Sequence, residues 1–413
     1  MSYESLISIR YLRSRSKQKF VSVIGLISIL GVLLGVMSLN VVLSVMKGFE
    51  EELRDKILGV SSHLVVMSYE GDFSNFNKLR AEILNFPGVV GASPFIYTQG
   101  MLVAENNVAG SVVRGIDPET AATVSNIAEA VGKGIYPNND ENNTFLEEKG
   151  KNLLLKLAQK TESGNPPILV GKELSNSLGV LVGDTINLVS PFGKIGPFGP
   201  QAKTKKFEVI GTFDYGMLEY DSSISYISLT DGMDFFETDG KATGIEVKVN
   251  NIYKAKRIGE DISEFLNFPY FTRNWEEVNK SLFKALRLER MAIAIFLGFI
   301  ILVAALNIVS TLTMLVMEKN KDIAILRAMG AKKSGVRKIF VMDGMIIGSI
   351  GTILGTAAGY SICYFLKTSN FVKKLIPFDN NVYPISEFPV KIEPHYFILV
   401  ALCSLLICFF ATL

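Results

Sequence analysis

Residues 20–46 read Phe20-Val-Ser-Val-Ile-Gly-Leu-Ile-Ser-Ile-Leu-Gly-Val-Leu-Leu-Gly-Val-Met-Ser-Leu-Asn-Val-Val-Leu-Ser-Val-Met46, without one Asp, Glu, Lys or Arg. A helix needs about 20 apolar residues to cross roughly 30 Å of hydrocarbon, and this stretch exceeds that. It is also too long for a secretory signal: polar Asn40 follows the apolar part and no small-x-small cleavage site closes it. It therefore reads as a signal-anchor span. Three further stretches meet the same criterion: residues 287–316, apolar from Met291 onward with Arg287, Glu289 and Arg290 at the mouth, then 339–366 and 395–413. The fold class expected is a membrane α-helical protein with four transmembrane helices. A large α+β extracytoplasmic domain, residues 47–286, is inserted between helices 1 and 2.

Orientation follows from basic residues in short loops. Arg10, Arg13, Arg15, Lys17 and Lys19 precede the first span against the single acid Glu4. Lys319, Lys321, Arg327, Lys332, Lys333, Arg337 and Lys338 lie between the second and third spans, against Glu318 and Asp322. Both segments are expected on the cytoplasmic side, which places residues 47–286 and the loop 367–394 outside. Residues 1–19 carry Tyr3, Leu6, Ile7 and Tyr11 at helical spacing beside the arginines, the pattern of an amphipathic helix in the membrane interface.

The charge balance is nearly even, 42 Lys and Arg against 40 Asp and Glu, which speaks against a nucleic-acid partner. The three cysteines, Cys363, Cys403 and Cys408, all fall in apolar segments, so there is no disulfide framework to read. No G-x-x-x-x-G-K-[ST] loop, H-E-x-x-H pair, C-x-x-C pair or G-x-S-x-G elbow occurs, and His63 and His395 stand alone. Catalysis has no constellation to rest on, and no metal site is expected.

In the inserted domain, the charged run Lys47 to Arg54 reads as the first helix continuing out of the membrane. A helix is expected at Phe76–Leu84, and surface loop around Asn138 to Asn143. Strands are expected at His63–Met67, Lys206–Phe213, Ser223–Leu229 and Gly244–Val249, then a helix at Tyr253–Leu266. Between Ile168 and Val189 a buried strand leads into a short helix stopped at Gly179, where a left-handed residue is cheapest, and Gly183-Asp184 turns into another strand. The loop 190–201, Ser-Pro-Phe-Gly-Lys-Ile-Gly-Pro-Phe-Gly-Pro-Gln, combines stiff turns with two apolar rings, Phe192 and Phe198.

Small residues mark packing faces inside the membrane: Gly31 and Gly35 on the first span, and Gly344, Gly348, Gly351, Gly355 and Gly359 on the third. Such residues serve close helix approach, within the chain or at a dimer seam. On the second span, Asn307 needs a partner from outside its helix, and nothing there ionises as an ion relay would.

The linker 317–338 between the second and third spans is the sharpest feature. Ile323, Leu326 and Met329 share a helical face, and Gly330 ends the helix. A short helix joined directly to two spans can pass on a push from a soluble partner, or it can lie on the lipid surface; pattern alone leaves both open.

Asp322-Ile-Ala-Ile-Leu-Arg-Ala-Met-Gly-Ala resembles the coupling-helix motif of MacB/FtsX-type ABC permeases. Leu43-Ser-Val-Met-Lys-Gly-Phe-Glu-Glu-Glu-Leu-Arg, Arg114-Gly-Ile-Asp-Pro-Glu, Gly171-Lys-Glu-Leu, Val209-Ile-Gly-Thr-Phe and Asn307-Ile-Val-Ser-Thr-Leu narrow it to the lipoprotein-releasing permeases, LolC/LolE. The resemblance implies an inner-membrane permease subunit that extracts triacylated, outer-membrane-destined lipoproteins from the outer leaflet and hands them to a LolA-type periplasmic carrier. It implies a LolD-type ATPase that binds the ATP and Mg, with no cofactor in this chain, and a second permease subunit in a homodimer or a LolC/LolE-type heterodimer. Coupling to the ATPase would fall to Glu318, Asp322, Ile323, Leu326, Arg327 and Gly330. Lipid contact at the matching positions of the first span would fall to Val42, Val45 and Met46. A carrier-binding hook would comprise Pro191, Phe192, Gly193, Pro197, Phe198, Pro200 and Lys205. Family members continue past Ala411-Thr412-Leu413, so a short basic tail is expected beyond it. The other reading is a non-transporting, FtsX-type signal transducer that activates a periplasmic enzyme; it needs the coupling helix but neither lipid cavity nor hook.

Overall fold

The computed structural model describes residues 19–105, 107–136, 143–190, 195–196, 199–200, 202–368 and 389–412. The amphipathic segment expected over residues 1–19 lies, but for Lys19, outside them. The chain divides into two compact units, one of residues 53–283 and one formed by the chain on either side of it.

The helical unit is built on α1 (Lys19–Val60) and on long helices from the C-terminal part of the chain. Among the described residues, three helices, residues 25–60 of α1, Lys333–Thr368 and Pro394–Thr412, are long and apolar enough to cross a membrane. A fourth long helix, Lys280–Glu318, runs for 39 residues with an apolar stretch at its end.

The unit of residues 53–283 contains β1 (Leu64–Ser68), α2 (Phe76–Leu84), β2 (Val89–Val103), β3 (Val108–Ile116), α3 (Ala121–Val124), α4 (Ile127–Ile135) and α5 (Asn143–Lys156). It continues with β4 (Pro167–Gly171), α6 (Lys172–Leu178), β5 (Thr185–Ser190), β6 (Ile195–Gly196), β7 (Gly199–Pro200), β8 (Lys203–Phe213), α7 (Leu218–Asp221), β9 (Ile224–Ser228) and α8 (Leu229–Phe236). β10 (Gly244–Val249), α9 (Ala255–Leu266), β11 (Tyr270–Asn274) and α10 (Trp275–Val278) complete it. The long helices that follow are α11 (Lys280–Glu318), α13 (Lys333–Thr368) and α14 (Pro394–Thr412), with the short α12 (Asn320–Ala328) between the first two. Strands and helices alternate irregularly, so the domain is α+β.

Strand order is β11-β1-β10-β2-β3-β9-β4-β8-β5, and β5 pairs again with β2. Six strands therefore close into a ring, and β10, β1 and β11 form an open arm. The 15-residue β2 belongs to both. Its first half pairs with β10 (Val89↔Val249 to Phe95↔Gly244), and its second half pairs with β3 (Phe95↔Ile116 to Val103↔Val108). Closure rests on Met101↔Val189, Leu102↔Leu188 and Val103↔Asn187. Side chains alternate across a strand, so Leu102, Val113, Ile186, Leu188, Phe207 and Val209 fill the ring's interior, with Leu174 and Leu178 of α6 packed in the same core. Gly179, at φ 69°, ends α6 in the left-handed region. α4 and α5 cross so closely that a Cβ on Gly150 would sit 1.7 Å from the Ala128 carbonyl oxygen.

In the helical unit the glycines of α13 serve two neighbours. Cβ atoms at Gly344 and Gly348 would strike Thr412 and Cys408 of α14, and those at Gly351, Gly355 and Gly359 would strike Val32, Leu33 and Asn40 of α1. These glycines are thus used for packing within the chain. Ser28 and Thr311 bond across α1 and α11 at 2.5 Å, and Thr352 bonds Ser404 at 2.9 Å. The Asn307 side chain lies outside the described part.

Candidate functional site

Three regions hold the residues singled out from the sequence. The first is α12. Lys319 separates it from α11, and the Ile323 amide donates to the Lys319 carbonyl at 2.9 Å, which starts the new helix. Asp322 stands in the first turn and Arg327 in the last, each favourable to the helix dipole. Gly330, at φ 97°, stops it, while the Ala331 amide donates to the Leu326 carbonyl at 3.0 Å. α13 begins three residues later, at Lys333. Glu318 is the last residue of α11. The apolar residues divide: Ile323 and Leu326 are half-buried, whereas Ile325 is 60% and Met329 81% exposed. Ile325 and Met329, four apart, form an outward apolar pair. The reading by shared face at Ile323, Leu326 and Met329 passes over Ile325; the signal for it is the i,i+4 spacing to Met329.

The second region is the end of α1. Val42, Val45 and Met46 are all half-buried. Val45 packs against the cluster of Cys363, Val390 and Phe397. The segment before α14 lies along this part of α1. The Lys391 amide donates to the Ser44 carbonyl at 3.0 Å, and a Cβ on Gly48 would sit 2.4 Å from the Pro389 carbonyl oxygen. Lys391 also pairs with Glu51, and Arg290 of α11 pairs with Glu50 at 2.7 Å. Val42 and Met46 share one stripe of α1, four residues apart. A void of about 40 Å³, lined by Val32, Gly35, Val36 and Leu39 with residues of α11 and α14, lies earlier on the same helix. It has room for a water or two, at about 30 Å³ each in the liquid.

The third region extends the β5–β8 hairpin. Its last rung in the sheet is Ser190↔Lys203. Beyond it β6 and β7 pair as Ile195↔Pro200 and Gly196↔Gly199. Pro191, Phe192, Gly193, Pro197 and Phe198 lie outside the described residues, and of Pro200 only the backbone is described. Lys205 Nζ reaches Asp234 at 2.9 Å and Asp231 at 3.4 Å, and Lys203 Nζ reaches Glu237 at 2.9 Å. Burial works against the Lys205 charge, but its bonds to Asp234 and Asp231 outweigh that and raise its pKa; Asp234 is lowered by the same Lys205. Lys205 thus ties the hairpin root to α8, and Lys206 is the exposed cation beside it. Nothing local in the sequence marks Asp231, Asp234 and Glu237 as partners of a strand some 30 residues earlier.

Among the described residues, no group of three or more His, Cys, Asp and Glu is placed to hold a metal ion.

Two family models match: the FtsX-like permease C-terminal over residues 294–413 and the MacB-like periplasmic core domain over residues 26–265. A multi-pass membrane permease with a MacB-like periplasmic domain is the class these define. The chain is 32% identical to the lipoprotein-releasing system transmembrane protein LolC of Xylella fastidiosa, over 98% of this chain and 94% of that protein. It is 31% identical to LolC of Neisseria meningitidis serogroup B over 100% and 95%, and 28% identical to LolE of Haemophilus influenzae over 89% and 84%. The chain belongs to the LolC/LolE family of lipoprotein-releasing permeases. Among solved structures, the periplasmic region of MacB from Actinobacillus actinomycetemcomitans is similar at 12% identity over 55% of this chain and 94% of that one, with a TM-score of 0.30.

Proposed function

We propose that this chain is the permease subunit of an ABC transporter that lifts triacylated lipoproteins out of the inner membrane's outer leaflet and passes them to a LolA-type carrier. In this reading α1, α11, α13 and α14 are four crossings, and residues 47–286 stand in the periplasm between the first and second. A LolD-type ATPase docks on α12 from the cytoplasm, and a second permease subunit completes the membrane part. The chain does no chemistry; its work is mechanical. Removing acyl chains from a bilayer costs about 0.8 kcal/mol per buried CH₂, tens of kcal/mol for three chains. That requires both an ATP-driven push and an apolar place for the chains to go.

The observation that carries the reading is the rigid step of α12 between two long helices, with Ile325 and Met329 turned outward. This is what a force-receiving contact needs: an apolar pair ready for a partner, on a helix joined to α11 by one residue and to α13 by four. Val42, Val45 and Met46 are the lipid contacts of this proposal, and the segment of residues 190–201 with Lys205 is its carrier hook. The match of residues 294–413 to the FtsX-like permease model also suits a transducer that activates a periplasmic enzyme. Co-purification from native membranes separates the two. An associated ATPase with bound lipoprotein supports transport, and an ATPase with a periplasmic hydrolase supports the transducer. Deleting residues 191–200 adds a second criterion: carrier binding is lost in the transporter, and retained with loss of hydrolase activation in the transducer.

A further inference from the structure

At the end of the helical unit where α11 finishes and α13 begins, a cavity of about 390 Å³ opens between α11, α13 and α14. That is far more than a water or two would need, at about 30 Å³ each. Val309, Leu312, Val316 and Phe340 supply apolar walls. The hydroxyls of Thr313 and Thr412, also in the lining, are turned back on their own helices, to the Val309 and Phe409 carbonyls at 2.8 Å each. The remaining polar group is the Arg337 guanidinium. Arg337 is exposed and makes no ion pair or hydrogen bond among the described residues, and exposed Lys333 and Lys338 flank it on the same helix.

An apolar cleft between apolar helices is filled from the membrane. A chain of methylenes gains about 0.8 kcal/mol per CH₂ there, whereas water gains no partners on such walls. The unengaged guanidinium at its edge adds the complementary requirement of an anion, and a guanidinium fits a phosphate through two parallel hydrogen bonds. We propose that this cavity seats one acyl chain of an anionic membrane phospholipid, with its phosphate on Arg337. This lipid is resident, distinct from any cargo, and lies at the junction from which α12 is suspended. Through it, the lipid composition of the cytoplasmic leaflet tunes how firmly α11, α13 and α14 hold together. The assignment of the leaflet rests on the proposed topology; the lipid contact does not.

The test uses the full chain reconstituted in vesicles, with Phe340→Trp as reporter and the parent, which has only Trp275, as the blank. Brominated phosphatidylglycerol and brominated phosphatidylcholine are compared as quenchers. One cation favours the anionic lipid by about fivefold, from roughly 1 kcal/mol per basic residue near the surface. At least that preference is expected in Phe340→Trp; it falls by about fivefold when Arg337→Gln is added, and returns with Arg337→Lys. Equal quenching by the two lipids with Arg337 present overturns the proposal. So does quenching by neither, which means that protein fills the cavity. Should Phe340→Trp not fold, native mass spectrometry of the otherwise unaltered chain decides: phosphatidylglycerol retained by the parent and lost in Arg337→Gln supports the site, and retention by both overturns it. Lipoprotein release is not read in either measurement, so a failure of the transport reading leaves this result standing, and the reverse.

Discussion

Arg114 on β3 donates to the Glu246 carboxylate on β10 at 2.5 Å, reaching across β2, which lies between their strands. Its guanidinium also lies over the rings of Phe95 and Tyr226, at 5.8 and 5.7 Å. The two charged side chains are only 11% and 8% exposed. The pair ties the closed ring to the open arm at the strand they share. Burial opposes the Arg114 charge, but Glu246 and the phenols of Tyr226 and Tyr215 outweigh it and raise its pKa.

Removing one partner of such a pair leaves a buried charge without compensation. Arg114→Ala is therefore expected to cost about 3–5 kcal/mol, and Arg114→Lys less, since the charge remains but the flat group between two rings does not. Denaturant unfolding of the full chain, followed by Trp275 emission, measures it. An Arg114→Ala variant within about 1 kcal/mol of the parent would show that the ring and arm do not depend on this pair.

The α1–α13 contact is set by backbone approach. A Cβ on Gly355 would stand 2.7 Å from the Leu33 carbonyl oxygen, and one on Gly351 would stand 2.8 Å from Val32 Cβ. In lipid, such approach is a main source of helix association. Gly355→Ala should destabilise by about 1–3 kcal/mol, the usual cost of overpacking. Gly298→Ala, with nothing within 4 Å of its Cβ, is the control and should cost nothing. Thermal unfolding in detergent checks both, and equal midpoints for the two variants would remove the argument.

What the sequence made legible follows from the range of each interaction. Three of the four long apolar runs, the helix Phe76–Leu84, the strand Gly244–Val249 and the stop at Gly179 rest on local pattern, and the described residues have these elements there. The α+β class of the inserted domain was legible for the same reason. Ring closure and the tie between ring and arm were not: Met101↔Val189 and Arg114–Glu246 join residues far apart in sequence, and neither leaves a local trace. The helix Asn143–Lys156 starts at the end of an Asn-rich stretch that reads as loop, and its buried positions Leu146, Gly150 and Leu154 are too few to give a strong period. Lys205 was legible as a cation near the hook, but its hold on Asp231 and Asp234 of α8 was not. In α12 the apolar face was read from spacing, while the exposure that singles out Ile325 depends on how the helix is turned, which spacing does not fix.

If α12 receives the ATPase, its outward pair matters more than its half-buried one. Ile325→Asp or Met329→Asp puts a charge where an apolar contact is lost, and is expected to weaken ATPase association by about tenfold or more, the effect of losing about 1.4 kcal/mol or more at an interface centre. ATP hydrolysis and lipoprotein release should then separate in proteoliposomes. Ile323→Asp and Leu326→Asp, at the half-buried positions of the same helix, should uncouple them as well. Unchanged ATPase retention in Ile325→Asp would move the contact elsewhere.

Asp221, the last residue of α7, offers a pH-dependent readout. Its two carboxylate oxygens accept the amides of Tyr215 and Met217 at 2.9 and 3.0 Å, next to Asp214, which holds Lys172 at 2.9 Å. Burial and the neighbouring Asp214 charge push Asp221 up to about 7, against those amide bonds. Burial also opposes the Asp214 charge, but Lys172 and the Gly216 amide hold it below the usual range. An unfolded Asp titrates near 3.9, so between about pH 4 and 7 the native state keeps a proton that the unfolded chain has lost. The Asp221 contribution is therefore full at acid pH, is lost as pH rises towards 7, and is flat above that. His63, lowered mainly by burial, acts oppositely, its contribution being lost as pH falls below about 6.5. Asp214 changes only below about pH 3.9, outside the range compared. Comparing Asp221→Asn with the parent isolates the first effect, because His63 is common to both. The parent's midpoint relative to Asp221→Asn should fall between pH 5 and pH 8 by at least about 2–4 °C, the shift that 1 kcal/mol makes in a domain of this size. Parallel profiles for the two proteins across that range would mean that Asp221 is ionised throughout, held by its two backbone amides.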